Sequence, residues 1–153
     1  MSAIPFDRSV LKVNQVILMT GILAGYFVSL ATHWGALVLP LLTAMMLAGV
    51  LSPALNVPRL LYLHVLRPRG AVKPRVIVED PAPHRFAQLI GGIFLLAASL
   101  CALVGSLLAA WVLAWIVLGL AFLNFAFDIC VGCMMYAQLV RIGVFPLRRA
   151  SAA

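Results

Sequence analysis

All eleven lysines and arginines lie outside four long apolar runs, and on the same side of every one of them. The runs are Val13 to Ala31, Ala36 to Leu51, Phe86 to Leu108 and Ala109 to Phe127. At about 1.5 Å of rise per residue they approach or exceed the roughly 30 Å of a hydrocarbon core, the second being the shortest. Arg8 and Lys12 precede the first run. Arg59, Arg67, Arg69, Lys73, Arg75 and Arg85 separate the second from the third, and Arg141, Arg148 and Arg149 follow the fourth. The turns at Thr32 to Gly35 and around Gly105 and Ser106 carry no positive charge. Hydrocarbon offers no water to backbone groups, so an open chain of this kind crosses it as helices, and basic loops stay on the cytoplasmic face. The expectation is an all-α protein of a bacterial inner (cytoplasmic) membrane, multi-pass, with four transmembrane helices and both termini in the cytoplasm.

Composition bears this out, with 65% hydrophobic and 10% charged residues among 153, well outside the range of soluble domains. A net charge of +7 invites a nucleic-acid reading. Its complete partition by span assigns it instead to topology and to anionic lipid, so no nucleic-acid partner is expected. The first run is longer than a signal-peptide core and is followed by a second span, which makes it an uncleaved helix. Three cysteines without framework spacing exclude a disulfide-stapled secreted fold.

Along the chain, Ile4-Pro5-Phe6-Asp7 reads as an extended lead with Asp7 as N-cap of the first helix. Gly21 and Gly25 form a GxxxG face that packs against a neighbouring helix, and His33-Trp34 suits the outer interface. Asn56-Val57-Pro58 stops the second helix. Arg59 to Leu66 then reads as a short interfacial helix, ended by Arg67-Pro68-Arg69-Gly70. Val76-Ile77-Val78 is an extended trio. Asp80 and Pro81 suit the N-cap and first position of the third span. That span carries small residues at Ala98, Ala102, Gly105 and Ser106, with Cys101 as a packing residue.

The chain also resembles itself. Lys12-Val13-Asn14-Gln15 and Arg85-Phe86-Ala87-Gln88 each follow an aspartate by five residues and open a long span, and Arg59-Leu60-Leu61-Tyr62 aligns with Cys133-Met134-Met135-Tyr136. A single domain, 1–153, is expected, built as two parallel two-helix repeats of about 5–70 and 78–145, related by an axis along the membrane normal. On this alignment Asn56 and Arg59 stand where the second copy has Cys130 and Cys133.

Cys130-Val131-Gly132-Cys133 is the candidate site. On a helix, positions three apart share a face, so both thiols reach each other or one metal ion. If the fourth helix runs on through Gly132, its carbonyl end and Asp128 disfavour thiolate. If Asp128 instead caps a new amphipathic helix from Ile129 to Ile142, Cys130 lies in a first turn whose free amides favour thiolate. Three readings follow: a redox dithiol that attacks as thiolate; a metal site, which needs His84, His64 or a second subunit to complete four ligands; or small polarizable residues packed beside Met134 and Met135. Asn124 and Asp128 share a face, and Asp128 is expected to cap or to pair with Arg141 or Arg85. A path for a small sulfur compound would need more polar groups than the spans offer.

Asp80-Pro81, Arg85-Phe86-Ala87-Gln88 and the later Cys130-Val131-Gly132-Cys133 resemble the bacterial membrane family catalogued as domain of unknown function 4395, over nearly the whole chain. The resemblance implies thioredoxin-like or rhodanese-like (sulfurtransferase) proteins as partners and no settled activity. The reading adopted is a cytoplasm-facing redox or sulfur-relay pair. Cys130 attacks, Cys133 resolves, and Asp128, Arg85 and His84 support them. No cofactor or metal is assigned, and oligomeric state and catalysis are left open. The alternatives are a non-catalytic scaffold that recruits a cytosolic partner or lipid, metal binding, and small sulfur-compound transport. In intact cells, Cys130 and Cys133 are expected to react with a membrane-permeant maleimide and not with an impermeant one; labelling by both would overturn the topology.

Overall fold

The computed structural model describes residues 4–52, 56–66, 68–69, 76–79 and 82–143, with backbone only at 4–8, 33 and 76–79. The proposed caps at Asp7 and Asp80, the Pro81 position, the His33 ring and the Arg67 stop therefore fall outside the described side chains or residues.

Helix α1 (Arg8–Ala31) leads through a 3-10 turn at His33–Leu37 into α2 (Val38–Leu51). α3 (Val57–Leu61) continues as a π-helical turn at Tyr62–Leu66, and α4 (Ala82–Leu103), α5 (Leu107–Phe127) and α6 (Val131–Arg141) follow. Among the described residues, four segments are long and apolar enough to cross a membrane: Ser9–Ala31, Trp34–Leu51, Ala82–Leu103 and Leu107–Phe127. The shortest has 18 residues. Its opening 3-10 turn rises about 2.0 Å per residue rather than 1.5, so it still reaches about 29 Å.

The two extended segments seen in the sequence are strands that pair with each other. β1 (Ile4–Asp7) runs antiparallel to β2 (Val76–Glu79), in the register Ile4↔Glu79 to Asp7↔Val76. One strand leads into α1 and the other precedes α4, so the ribbon pins both helix starts to the same end of the bundle. The element order thus runs strand, span, span, short helix, twice. Each short helix packs on the first span of its own half, α3 on α1 and α6 on α4. α2 packs chiefly on α4, whereas α5 packs on α4 of its own half and also on α1.

The core joins Leu18 and Ile22 of α1, Leu39, Leu42 and Met46 of α2, Leu95 and Ala98 of α4, and a small-residue stripe on α5 at Ala110, Ala114 and Ala121. Small side chains let helices approach where no hydrophobic force separates protein from lipid. The GxxxG of α1 packs on α2 within the chain: a side chain at Gly21 would meet Leu42, and one at Gly25 would meet Val38. Away from the ribbon, the Tyr26 ring stands edge-on to Trp111 at 5.2 Å and to Trp115 at 5.4 Å. Between α2 and α4 the buried hydroxyls of Thr43 and Ser99 lie 3.1 Å apart. Cys101 packs against this core, as expected of a structural thiol. Of the small residues expected to line α4, Ala98 is buried, whereas Gly105 and Ser106 are exposed in the turn to α5.

Gly35 lies where a side chain would strike the backbone of Ser29 and Gly25, whereas one at Gly119 would meet nothing. Gly35→Ala is expected to destabilise the fold by about 1–3 kcal/mol, read as a lower thermal midpoint in detergent, and Gly119→Ala is expected to leave that midpoint unchanged or raised.

Candidate functional site

The site begins where α5 stops. Asp128 takes the left-handed conformation, φ 54 and ψ 20, directly after the last helical residue. Glycine is commonest there; a short polar side chain tolerates it. The chain then leaves the axis of α5, and Cys130, extended at φ −92 and ψ 99, becomes the N-cap of α6. The expected second helix is therefore present, but Cys130 caps it, not Asp128, and its bounds are Val131–Arg141 rather than Ile129–Ile142. The backbone N–H of Cys133 donates to Cys130 Sγ at 3.3 Å. The same contact opens α3, where the Arg59 N–H donates to Asn56 Oδ1 at 3.0 Å.

α6 reaches its partner through Gly132. A Cβ there would lie 2.6 Å from Ala87 Cβ and 2.7 Å from Ala87 Cα, so α6 rests directly on α4. The Phe86 and Tyr136 rings make a second contact, 5.6 Å apart. This approach brings Cys133 Sγ to 3.5 Å from His84 Nδ1. The ligand atoms of His84, Cys130 and Cys133 all lie within 4.8 Å of one another, a group able to hold a metal ion. His64, the other histidine considered as a ligand, is exposed, with its Nδ1 3.1 Å from the Leu60 carbonyl, and lies outside this group.

The Cys130 thiol is pulled from its ordinary 9.0 down to about 5. The hydrogen bond with the Cys133 side chain contributes most. Partial burial opposes it, and the His84 side chain, the Cys133 N–H and the His84 charge add to the lowering. Arg85 is exposed and is not among the groups acting on Cys130. Asp128 pairs with Lys12 of α1, Nζ to Oδ1 3.4 Å, rather than with Arg141 or Arg85. Lys12 also lies over the Phe125 ring, 5.8 Å from its centroid. This pair fastens the α5–α6 turn to α1 beside the thiols. A small pocket of about 30 Å³ there is lined by Lys12, Gln15, His84, Asn124, Asp128 and Cys130.

Behind Cys130 a larger cavity of about 120 Å³ runs between α1, α4 and α5. Its wall includes the amides of Asn14, Gln15, Gln88 and Asn124, one or two turns inside the spans. Gln88 Nε2 donates to the Met46 carbonyl at 3.1 Å, and Asn14 Nδ2 points to Met46 Sδ at 3.8 Å. Asn14 Oδ1 and Gln15 Oε1 are buried without a hydrogen-bond partner. Sequence reading passed over this convergence. Each amide taken alone is unremarkable near the end of a span, and the available signal was that polar groups inside spans tend to mark function.

The family model described as Domain of unknown function (DUF4395) matches residues 6–141. The chain belongs to this family. No curated protein and no solved structure matches it. The DUF4395 match takes in both halves of the bundle and ends at Arg141, the last residue of α6.

Two outcomes are expected. Alkylation of Cys130 should follow the thiolate, half-maximal near pH 5 and flat above it. Cys133→Ala should move that curve to higher pH by removing the largest cause of the shift, and His84→Ala should move it in the same direction. Gly132→Ala should push α6 from α4 and raise the same midpoint while both thiols remain, measured by pH-dependent iodoacetamide labelling and mass spectrometry.

Proposed function

We propose that this DUF4395 protein is an inner-membrane thiol protein in which Cys130 and Cys133 exchange electrons or sulfane sulfur with a thioredoxin-like or rhodanese-like partner in the cytoplasm. The observation that carries the reading is the capping of α6 by Cys130. A thiol at an N-cap receives backbone N–H groups and the positive end of the helix dipole, both of which favour thiolate. With its thiol at about 5, Cys130 is ionised at neutral pH and is also a good leaving group.

In the exchange, Cys130 Sγ attacks one sulfur of the partner's disulfide and the partner's other sulfur departs as thiolate. Cys133, its proton passing to His84, then attacks Cys130 Sγ and releases the partner's second thiolate. A dithiol and a disulfide become a disulfide and a dithiol. In the sulfur-relay variant, Cys130 Sγ attacks the outer sulfur of a partner persulfide, the partner's sulfur–sulfur bond breaks and its inner sulfur departs as thiolate, which leaves the persulfide on Cys130. Asp128 and Lys12 support this by fixing the turn, and Arg85 remains a candidate through its charge at the interface. The orientation rests on the charge partition, which puts the thiols, the strand ribbon and both termini on the cytoplasmic side. The matched order of elements and the matched caps at Asn56 and Cys130 support a duplicated unit in which only the second copy acquired thiols.

A second reading has its own observation. A separation of 3.5 Å between Cys133 Sγ and His84 Nδ1 is about what zinc bonds of roughly 2.3 Å and 2.0 Å span at a tetrahedral angle. Two thiolates and an imidazole would leave one position open for a fourth ligand. A scaffold role, by contrast, would leave the thiols dispensable.

Cys133→Ser separates these readings. Under exchange it accumulates a reductant-sensitive adduct through Cys130 with a cytosolic thiol protein, and Cys130→Ser does not. Wild-type thiols that stay unlabelled until the protein is denatured or chelator is added would point to metal. Full activity of the double serine variant in cells would leave only the scaffold.

A further inference from the structure

The exchange above makes no use of the cavity behind the thiols. Its lining reaches from Cys130 and Gly132 to Leu18, Gly91 and Val117. Those residues lie about ten positions, or roughly 15 Å, inside the ribbon-bearing ends of their helices. Three properties of the wall restrict what it can hold.

Among the described residues, no Asp, Glu, Lys or Arg lines it. Beyond His84 at the thiol end, a charged occupant would enter hydrocarbon depth without a counter-ion, so the occupant is neutral. Gln15 is only 7% exposed, and its Oε1, like the buried Asn14 Oδ1, has no partner. An unpaired buried acceptor is costly, and an occupant that donates a hydrogen bond, met by rotation of the amide toward the cavity, removes the cost. A primary amide also carries donors, so the same residues can serve a carbonyl as readily as a hydroxyl. The inner end is apolar, and about 120 Å³ is close to the roughly 150 Å³ of a cavity known to hold a benzene ring. Beside a dithiol, these properties describe a neutral ring, soluble in hydrocarbon, whose oxygens alternate between carbonyl and hydroxyl.

We propose that this cavity binds the ring of a lipid-soluble quinone, which accepts the electrons of the reduced Cys130–Cys133 pair; the inference rests on the redox reading above. Cys130 Sγ adds to a ring carbon and forms a carbon–sulfur bond. Cys133 gives its proton to His84 and attacks Cys130 Sγ. The sulfur–sulfur bond forms as the carbon–sulfur bond breaks, and that electron pair returns to the ring. The ring oxygens take up two protons, one from His84 and one from water, which replaces the proton Cys130 had already released. A dithiol and a quinone become a disulfide and a quinol. Gln15 and Asn14 bind the ring oxygens, donating to the quinone and accepting from the quinol.

The test uses the full chain, reduced, in lipid nanodiscs. The probe is a fully substituted benzoquinone with a short alkyl tail, which cannot arylate thiols permanently; a water-soluble disulfide serves as the comparison oxidant. The expected result is one quinol formed per Cys130–Cys133 disulfide. Gln15→Leu is expected to raise the quinone concentration needed for half-maximal rate about tenfold, the loss of one hydrogen bond at a buried site. Gly91→Leu, which fills the inner end from the opposite wall, is expected to abolish quinone reduction and to keep the wild-type rate with the soluble disulfide, which shows that it is folded. Oxidation by the soluble disulfide and not by the quinone overturns this inference and leaves the exchange reading standing. Wild-type quinone kinetics in both variants also overturn it. Failure of both oxidants to form the disulfide removes the redox reading itself.

Discussion

At Asp128 the backbone enters the left-handed region, and the carbonyls that close α5 turn away from the thiols that follow. Had α5 continued, Cys130 and Cys133 would sit at the negative end of a helix dipole with Asp128 one turn behind, and thiolate would be disfavoured. The break instead gives Cys130 the first amides of a new helix. It also lets α6 fold back until Gly132 touches Ala87, and only that contact brings His84 to Cys133. The Lys12–Asp128 pair and the Phe86–Tyr136 rings hold the turn and the returning helix in place.

The two halves put the same capping contact to different chemical ends. Asn56 caps α3 with an amide oxygen, an ordinary and unreactive solution. Cys130 caps α6 with sulfur, a weak acceptor when neutral and a good one when ionised. The same backbone N–H bond that secures the start of the helix therefore also stabilises the thiolate.

Polar groups at membrane depth are costly unless they are paired, and this bundle satisfies only some of them. Thr43 and Ser99 meet each other between α2 and α4, and Gln88 finds the Met46 carbonyl. Gln15 and Asn14, two residues that line the cavity behind Cys130, are left with unpaired buried oxygens. The unpaired groups lie on the Cys130 side of the bundle, whereas its far end is closed by aromatic rings and small side chains.

The four spans and the short helix near Arg59 were legible in the sequence. They depend on composition and on local periodicity, which one stretch of chain carries by itself. The extended trio at Val76 was visible too, but its partner at Ile4 was not, because a strand's partner lies elsewhere in the chain. Whether α5 would stop at Asp128 stayed open for a similar reason: a left-handed aspartate costs little, so the contacts of α6 on α4 decide it. The salt-bridge partner of Asp128 depended on which helix start lay alongside, and this proved to be that of α1, not α4. The meeting of Asn14, Gln15, Gln88 and Asn124 on one cavity needed three helices at fixed rotations. Composition and periodicity determined that this chain forms four apolar helices and carries a thiol pair beyond the last of them. Only tertiary packing decided that the pair would face a histidine and a polar cavity, since those contacts join residues whose separation in sequence says nothing about their separation in space.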